Sequence, residues 1–356
     1  MEKRKKVCLV TINDLENYGN RLQNFALQYF LEEELHCSVR TLWPNDTFSI
    51  KSKIFYCLRQ TKWRLLATMK CGKYECLQSF FDFNKSIKME RALLLPNKDL
   101  KKIEKKYDFF VVGSDQVFSE KHCINLESMY LPHICKQQKI CYAGSFGTDN
   151  ISDTERNLFE KYYKSFSAFS LREIPKEIKA NHDIFQAIDP VFLVSKIVWS
   201  SIGRQPKWLK SNSNFVFVYW LGEISEKIEK EIKRLSASGL TPVICNIYAD
   251  AKQHVSVYNF IWLIEHSSVV ITNSFHGTAL AIIFNKRLIS VPKKETTNKE
   301  NMDIRFRTLK ETFELSGDAF TTNESKRPNE FDWNHINEII EFQKKKTIDF
   351  FISHGL

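Results

Sequence analysis

The hydrophobic positions in the first half of the chain follow two alternating patterns. Residues 20–35 carry apolar side chains at helical spacing, which predicts an amphipathic helix. Short, largely apolar segments predict strands at residues 6–12, 39–42, 109–112, 140–143 and 168–171. The segment at 109–112 is apolar without a break, which is typical of a strand buried on both faces of a parallel sheet. Strands separated by helical segments predict an α/β unit with a doubly wound parallel sheet.

The second half of the chain repeats this alternation after a polar stretch at residues 195–214. The patterns predict strands at 215–219, 242–246, 269–272 and 288–291, and helices at 225–238, 257–266, 277–284 and 332–351. We therefore predict two Rossmann-like domains that face a central cleft. The N-terminal domain covers residues 1–195, and the C-terminal domain covers residues 196–356 and includes a closing helix.

One stretch of the N-terminal half has a different composition. Residues 51–73 contain seven Lys or Arg and no Asp or Glu, interleaved with Trp63, Leu65, Leu66 and Met69. We interpret residues 49–85 as a basic helical insertion. Its apolar side chains either pack on the domain, or they help the protein to approach an anionic membrane surface.

Composition narrows the class of protein. The length of 356 residues suits two domains, and the formal charge of +10 leaves nucleic acid, anionic membrane and phosphorylated small molecules open as partners. The nine cysteines include no Cys-x-x-Cys pair, so reduced thiols are expected. The sequence has no long apolar span and no secretory signal, so we expect a cytoplasmic protein.

Ligands of open α/β sheets bind where the strands end, so the residues that follow the predicted strands are the candidates for function. After the first strand, a turn containing Asn17 and Gly19 precedes a helix. This turn either binds an anion through backbone N–H groups or is an ordinary helix start with Asn20 as the N-cap. Gly113 permits a tight turn after the strand at 109–112. The following Asp115 either accepts a proton from a hydroxyl group or caps the next helix.

Two further strands end in side chains suited to anions or to proton transfer. Arg172 follows the strand at 168–171, and its guanidinium group could grip a carboxylate or phosphate, or pair with the adjacent Glu173. His276 lies between a strand and an apolar helix, where the positive end of the helix dipole disfavours imidazolium. A neutral histidine there could act as a base, although a structural role was equally open.

Together these segments resemble the polysaccharide pyruvyl transferase family. Its opening motif is similar to residues 17–24, and its Gly-Ser-Asp-Gln segment is similar to residues 112–117. Residues 142–147 match its Tyr-Ala-Ala-Ser-Phe-Gly segment, except that Gly144 replaces an alanine. Its Arg-Glu, Asp-Pro and Ser-Phe-His-Gly segments resemble residues 170–173, 189–193 and 272–277, and a looser match runs through Arg305.

The resemblance implies a fold similar to the GT-B glycosyltransferases and transfer of the enolpyruvyl group of phosphoenolpyruvate onto a pair of sugar hydroxyls. The acceptor would be a galactose-type residue of a surface or capsular polysaccharide precursor. This precursor could be an oligosaccharide attached to a lipid carrier. Phosphoenolpyruvate is then a co-substrate, and no cofactor, metal or nucleic acid is expected. A nucleotide-sugar glycosyltransferase and a non-catalytic carbohydrate-binding protein of the same fold are the alternatives.

The resemblance also implies roles for individual residues. Arg172 and His276 would bind the donor, and Asp115 would lie near the acceptor. We expect His276 and Asp115 to be the catalytic residues that transfer protons, with either of them as the acid or the base. Substrate binding would involve Arg172, Asn17, Gly19, Asn20, Ser114, Gln116, Ser274, Gly277 and Arg305.

Overall fold

The fold contains two parallel β-sheets with helices packed on them. The computed structural model describes residues 4–14, 17–44, 58, 61–62, 65, 72–92, 103–123, 125–178, 184–210, 214–246, 255–291, 303–315 and 331–356. No helix among these residues is long and apolar enough to span a bilayer. The arrangement of the strands confirms the predicted α/β class.

The first sheet has seven strands in the order β3-β2-β1-β4-β5-β6-β7, and all neighbouring pairs are parallel. Its strands are β1 Lys6–Val10, β2 Ser38–Pro44, β3 Met89–Ala92, β4 Phe109–Val112, β5 Lys139–Gly144, β6 Ala168–Leu171 and β7 Ile184–Gln186. Both edge strands, β3 and β7, were missed by the hydrophobic pattern. Each is short, and neither forms an unbroken apolar run.

The second sheet has four parallel strands in the order β11-β10-β8-β9. They are β8 Phe215–Trp220, β9 Thr241–Asn246, β10 Val269–Thr272 and β11 Arg287–Ser290. All four lie close to their predicted positions. The central strand β8 is buried along its whole length, which explains why its sequence is apolar without alternation.

Helices connect the strands and cover the sheets. They are α1 Tyr18–Glu33, α2 Gly72–Asn84, α3 Asp153–Tyr162, α4 Lys196–Ile202, α5 Glu226–Ala237, α6 Val257–His266, α7 Phe275–Ile283, α8 Asp303–Thr312 and α9 Trp333–Ser353. Of the basic insertion, the structure describes residues 72–85, which include α2, and the helical residues Leu58, Thr61, Lys62 and Leu65. The rest of the basic stretch lies outside the described residues.

The last helix crosses back to the first sheet. In α9, the hydroxyl of Thr347 lies 3.1 Å from that of Tyr142 on β5, and the Phe351 ring packs 5.1 Å from the Tyr142 ring. Phe350 stacks on Phe185 of β7 at 5.0 Å. The helix that was predicted to close the C-terminal domain therefore covers the sheet of the N-terminal half. The domain boundary near residue 195 stays a prediction.

Candidate functional site

A cavity of about 690 Å³ lies between the carboxyl ends of the strands of both sheets. The first sheet contributes residues that follow β1, β4 and β5, and the second contributes residues that follow β8 and β10. This is where ligands bind in open α/β sheets. The cavity is lined by seven of the predicted site residues: Asn17, Asn20, Asp115, Gln116, Ser274, His276 and Arg305.

The turn after β1 starts helix α1 one residue after Asn17. The side chain of Asn17 accepts a hydrogen bond from the backbone N–H of Asn20 at 3.1 Å, so Asn17 is the N-cap and the predicted cap at Asn20 is wrong. This frees the Asn20 side chain for the cavity. Its Nδ2 donates to Oδ2 of Asp115 at 3.0 Å, and its Oδ1 accepts from Arg21 at 2.6 Å.

The turn after β4 depends on a glycine. Gly113 has a φ of +117°, and a Cβ atom there would overlap the backbone oxygen of Tyr142. Ser114 is fully buried, and its hydroxyl donates to Oε1 of Gln23 at 2.6 Å, so its role in this structure is to hold the turn against α1. The next residue, Asp115, reaches the cavity with a φ of +72°.

Asp115 is surrounded by groups that favour its ionised form. Burial by itself raises the pKa of this carboxyl group, but Arg172, His276 and the hydrogen bond from Asn20 outweigh burial and lower the pKa below its usual value. Asp115 is therefore a carboxylate at neutral pH, able to accept a hydrogen bond from a hydroxyl group that enters the cavity.

Arg172 lies beneath the cavity rather than in its lining. Its Nη1 donates to Oδ2 of Asp189 at 2.5 Å, and its Nε donates to Oε2 of Glu173 at 3.2 Å. Its Nη2 lies 3.6 Å from Oδ1 of Asp115 and donates to the hydroxyl of Ser145 at 3.1 Å. The guanidinium group thus meets three carboxylates. The predicted pair with the adjacent Glu173 exists, but it is buried rather than on the surface.

Asp189 belongs to this site, although the sequence analysis gave it no role beyond its place in the Asp-Pro segment. It is buried, and it accepts from the backbone N–H of Val191 at 3.1 Å at the start of a short 3₁₀ turn, Pro190–Leu193. Burial raises its pKa, but the facing His276 and Arg172 leave the pKa far below the usual value. In the sequence, Asp189 is recognisable only as an aspartate before a proline. The same pair of residues occurs in ordinary turns, so it does not by itself indicate a functional residue.

His276 stands in the first turn of α7, where backbone N–H groups have no partner within the helix. Ser274 is the N-cap and accepts from the N–H of Gly277 at 3.4 Å. Gly19 of α1 lies directly against the imidazole ring, and a Cβ atom at Gly19 would overlap it. Nε2 of the ring is buried and faces Oδ2 of Asp189 at 3.6 Å.

Phe275 separates two buried arginines. The guanidinium carbon of Arg172 lies 4.5 Å from the centre of the Phe275 ring, and that of Arg305 lies 5.8 Å from it. Arg305 lines the cavity, whereas Arg172 does not. Burial lowers the pKa of Arg305, and the positive charge of Arg172 lowers it further, yet an arginine stays protonated at neutral pH.

The rim of the cavity contains residues that carry no motif and were missed. Lys121 and His122 are exposed and line the mouth on the side of the first sheet. On the opposite side, the Asn273 side chain accepts from the N–H of Leu221 at 2.8 Å and donates to its carbonyl at 2.9 Å, which fixes that wall. Among the residues that the structure describes, no group of three or more His, Cys, Asp or Glu is arranged to hold a metal ion.

Comparison with known proteins identifies one family. The sequence profile described as polysaccharide pyruvyl transferase matches residues 17–292. No curated protein matches the chain with significance.

Several solved structures are similar to the chain at low identity. The UDP-GlcNAc 2-epimerase from Neisseria meningitidis, bound to UDP-GlcNAc, is 10% identical with a TM-score of 0.45, and the match covers 98% of this chain and 100% of that one. The UDP-GlcNAc 2-epimerase from Methanocaldococcus jannaschii is 11% identical with a TM-score of 0.41, covering 96% and 94%. An alpha-glucosyltransferase in complex with UDP and DNA is 11% identical with a TM-score of 0.43, covering 98% and 99%.

Proposed function

Because the chain belongs to the polysaccharide pyruvyl transferase family, we propose that it converts phosphoenolpyruvate and two hydroxyls of one sugar into a pyruvate ketal and phosphate. The observation that supports this reaction best is the composition of the cavity. It brings the carboxylate Asp115, the imidazole of His276 and the guanidinium of Arg305 to one place at the carboxyl ends of two sheets. Proton transfer and anion binding, which the reaction needs, are thereby available together.

Phosphoenolpyruvate carries a carboxylate and a phosphate, and the second sheet offers a partner for each. Arg305 lines the cavity with a charge that cannot be removed near neutral pH. The first turn of α7, which begins at Phe275, offers backbone N–H groups and the positive end of a helix dipole. Arg172, already held by three carboxylates, would act indirectly by fixing Asp115 and Asp189 in place.

The reaction forms two carbon–oxygen bonds and breaks one. A proton adds to the methylene carbon of phosphoenolpyruvate and makes it a methyl group, while the first sugar hydroxyl attacks the adjacent carbon and loses its proton. The second hydroxyl then displaces phosphate from that carbon and also loses its proton. Of the two protons that the hydroxyls lose, one accounts for the hydrogen added to the methylene carbon, and the other leaves with phosphate.

The two catalytic candidates suit different parts of this sequence. Asp115 has a lowered pKa and is a weak base, so it would orient a sugar hydroxyl by accepting its hydrogen bond. His276, opposite it in the cavity, would carry the proton that moves between the hydroxyl and the donor. Holding both hydroxyls beside one carbon is mainly a task of orientation.

The acceptor we propose is a galactose-type residue of a surface or capsular polysaccharide precursor attached to a lipid carrier. The cavity lining includes the exposed Lys121 and His122 beside the first sheet and the half-buried Leu221 beside the second. An extended glycan could leave past these residues while its reacting sugar stays inside. The basic insertion would bring the protein to the anionic membrane that holds the carrier.

The test is phosphate release from phosphoenolpyruvate in the presence of a panel of soluble glycosides, followed by mass spectrometry of the acceptor. The expected product gains the mass of one pyruvate less one water. His276→Gln and Arg305→Gln should abolish or strongly reduce this gain, with folding checked by circular dichroism. Turnover of nucleotide sugars instead would favour a glycosyltransferase. Glycan binding without turnover of either donor would favour a carbohydrate-binding protein.

A further inference from the structure

One nitrogen of the cavity histidine has a carboxylate in front of it but no hydrogen bond. Nε2 of His276 is buried and has no hydrogen-bond partner among the described residues. It faces Oδ2 of Asp189 at 3.6 Å, a distance too long for a hydrogen bond by about 0.5 Å. An unpaired nitrogen buried at such a position is costly unless it finds a partner in another state of the site.

We propose that Asp189 is a positioning residue for His276. Its carboxylate faces Nε2 already in the free protein and keeps the proton of the neutral imidazole on that nitrogen. It accepts this N–H as a hydrogen bond when the site tightens around a substrate, so that Nδ1 is the nitrogen that exchanges a proton with the substrate. The assignment to catalysis rests on the proposed function, whereas the pairing itself does not. Hydrogen bonds between catalytic groups are often long in the free enzyme and shorten in the complex.

Asp189 is held firmly enough to orient a neighbour. Its Oδ2 accepts from Arg172 at 2.5 Å, and its Oδ1 accepts from the N–H of Val191 at 3.1 Å. Its side chain is fully buried, so water does not compete for the carboxylate. The imidazole must therefore come to the carboxylate, and a movement of less than about 1 Å is enough.

The other ring nitrogen, Nδ1, faces the start of α1 rather than Asp189. Nδ1 is next to Gly19, and the cavity there is lined by Asn17 and Asn20. Since Nε2 is buried against Asp189, Nδ1 is the ring nitrogen that a substrate can reach. With Nε2 protonated, neutral His276 presents a lone pair at Nδ1 and acts as a base. The imidazolium then presents Nδ1–H and acts as an acid.

The pair also joins the two sheets. His276 belongs to α7 on the four-stranded sheet, whereas Asp189 follows β7 of the seven-stranded sheet. The sheets are tied nearby by Tyr18, whose hydroxyl donates to the carbonyl of Val255 at 2.5 Å and whose ring stacks on Phe260 at 4.6 Å. The position of the imidazole relative to the carboxylate therefore depends on how the two sheets pack against each other.

The tautomer can be measured without substrate by ¹⁵N NMR of the histidine side chains, with the His276 signals identified by their loss in His276→Gln. In the wild-type protein we expect neutral His276 to carry its proton on Nε2. In Asp189→Asn we expect a mixture of tautomers or the Nδ1–H form. We also expect kcat to fall about 100-fold or more, while KM for phosphoenolpyruvate changes less than about threefold.

Glu173→Gln is the matched control. Glu173 is as buried as Asp189 and also accepts from Arg172, at 3.2 Å, but its other oxygen binds Ser145 and the N–H of Gly147. This variant should keep the wild-type tautomer. A wild-type Nδ1–H tautomer, an unchanged tautomer in Asp189→Asn, or an equal change in Glu173→Gln would each overturn the assignment.

If Asp189→Asn does not fold, the wild-type spectrum decides the question alone. If no pyruvyl transfer is found with any acceptor, the proposed function fails, but the spectrum still tests the pairing.

Discussion

The close approach of Gly19 to His276 makes a specific prediction about a single methyl group. In Gly19→Ala, the new Cβ would overlap Nδ1 and Cγ of the imidazole and lie 2.9 Å from its Cε1. Real Cβ atoms do not approach so closely, so the ring or the start of α1 must move. Both belong to the cavity wall. The variant should therefore impair activity much more than stability.

The expected magnitudes follow from the contact. Overpacking at a buried site costs about 1–3 kcal/mol of folding free energy, and the higher helix propensity of alanine returns up to about 1 kcal/mol. The net loss of stability is then on the order of 1–2 kcal/mol. A displacement of about 1 Å in a catalytic group lowers turnover by about 100-fold. Urea unfolding and kcat/KM for phosphoenolpyruvate measure the two effects separately.

Gly203→Ala is the control for this substitution. The nearest atoms to a Cβ at Gly203 are 3.4 Å away, an ordinary contact, and the residue has a φ of −59° that alanine adopts easily. This variant should keep the wild-type kcat/KM. A folded Gly19→Ala protein with wild-type kcat/KM would refute the idea that the position of the imidazole at Gly19 matters for catalysis.

Five further predictions test other parts of the structure. Arg305→Gln should raise KM for phosphoenolpyruvate at least tenfold with little loss of stability. Arg172→Ala should lower the free energy of unfolding in urea by about 3–5 kcal/mol, because it leaves buried carboxylates without a compensating charge. Activity should survive EDTA, and a loss restored by one divalent ion would contradict the metal-free site. Buried Lys139 has its pKa lowered from 10.5 to about 8 by desolvation. The unfolded chain therefore binds more protons between these pH values, so the free energy of unfolding should rise from about pH 8 to 10 in the wild type and less so in Lys139→Met. The basic insertion should make the protein sediment with anionic liposomes at low salt, and high salt should release the protein from them. Equal binding to neutral liposomes would mean that the insertion has only a structural role.

The sequence alone determined the class of fold and singled out seven of the residues that line the cavity. Buried parallel strands need unbroken apolar runs, so β1, β4, β5 and the central strands of the second sheet were visible as short segments. Because ligands bind where such strands end, the sequence alone was enough to predict that Asp115 and His276 lie in one cleft. The edge strands β3 and β7 were not predicted, because a strand at the edge of a sheet does not need an unbroken apolar run.

Only the tertiary structure decided which of these side chains meet. Arg172 and Asp115 both lie just beyond the end of a strand. Arg172 nevertheless packs against Phe275 and pairs with three carboxylates, whereas Arg305, from a helix far away in the sequence, lines the cavity. The pairing of Asp189 with His276 likewise joins segments from different sheets. Local patterns report whether a residue is buried and where a strand ends. The partner of a buried charge depends on how the two sheets pack, and a local pattern does not contain that information.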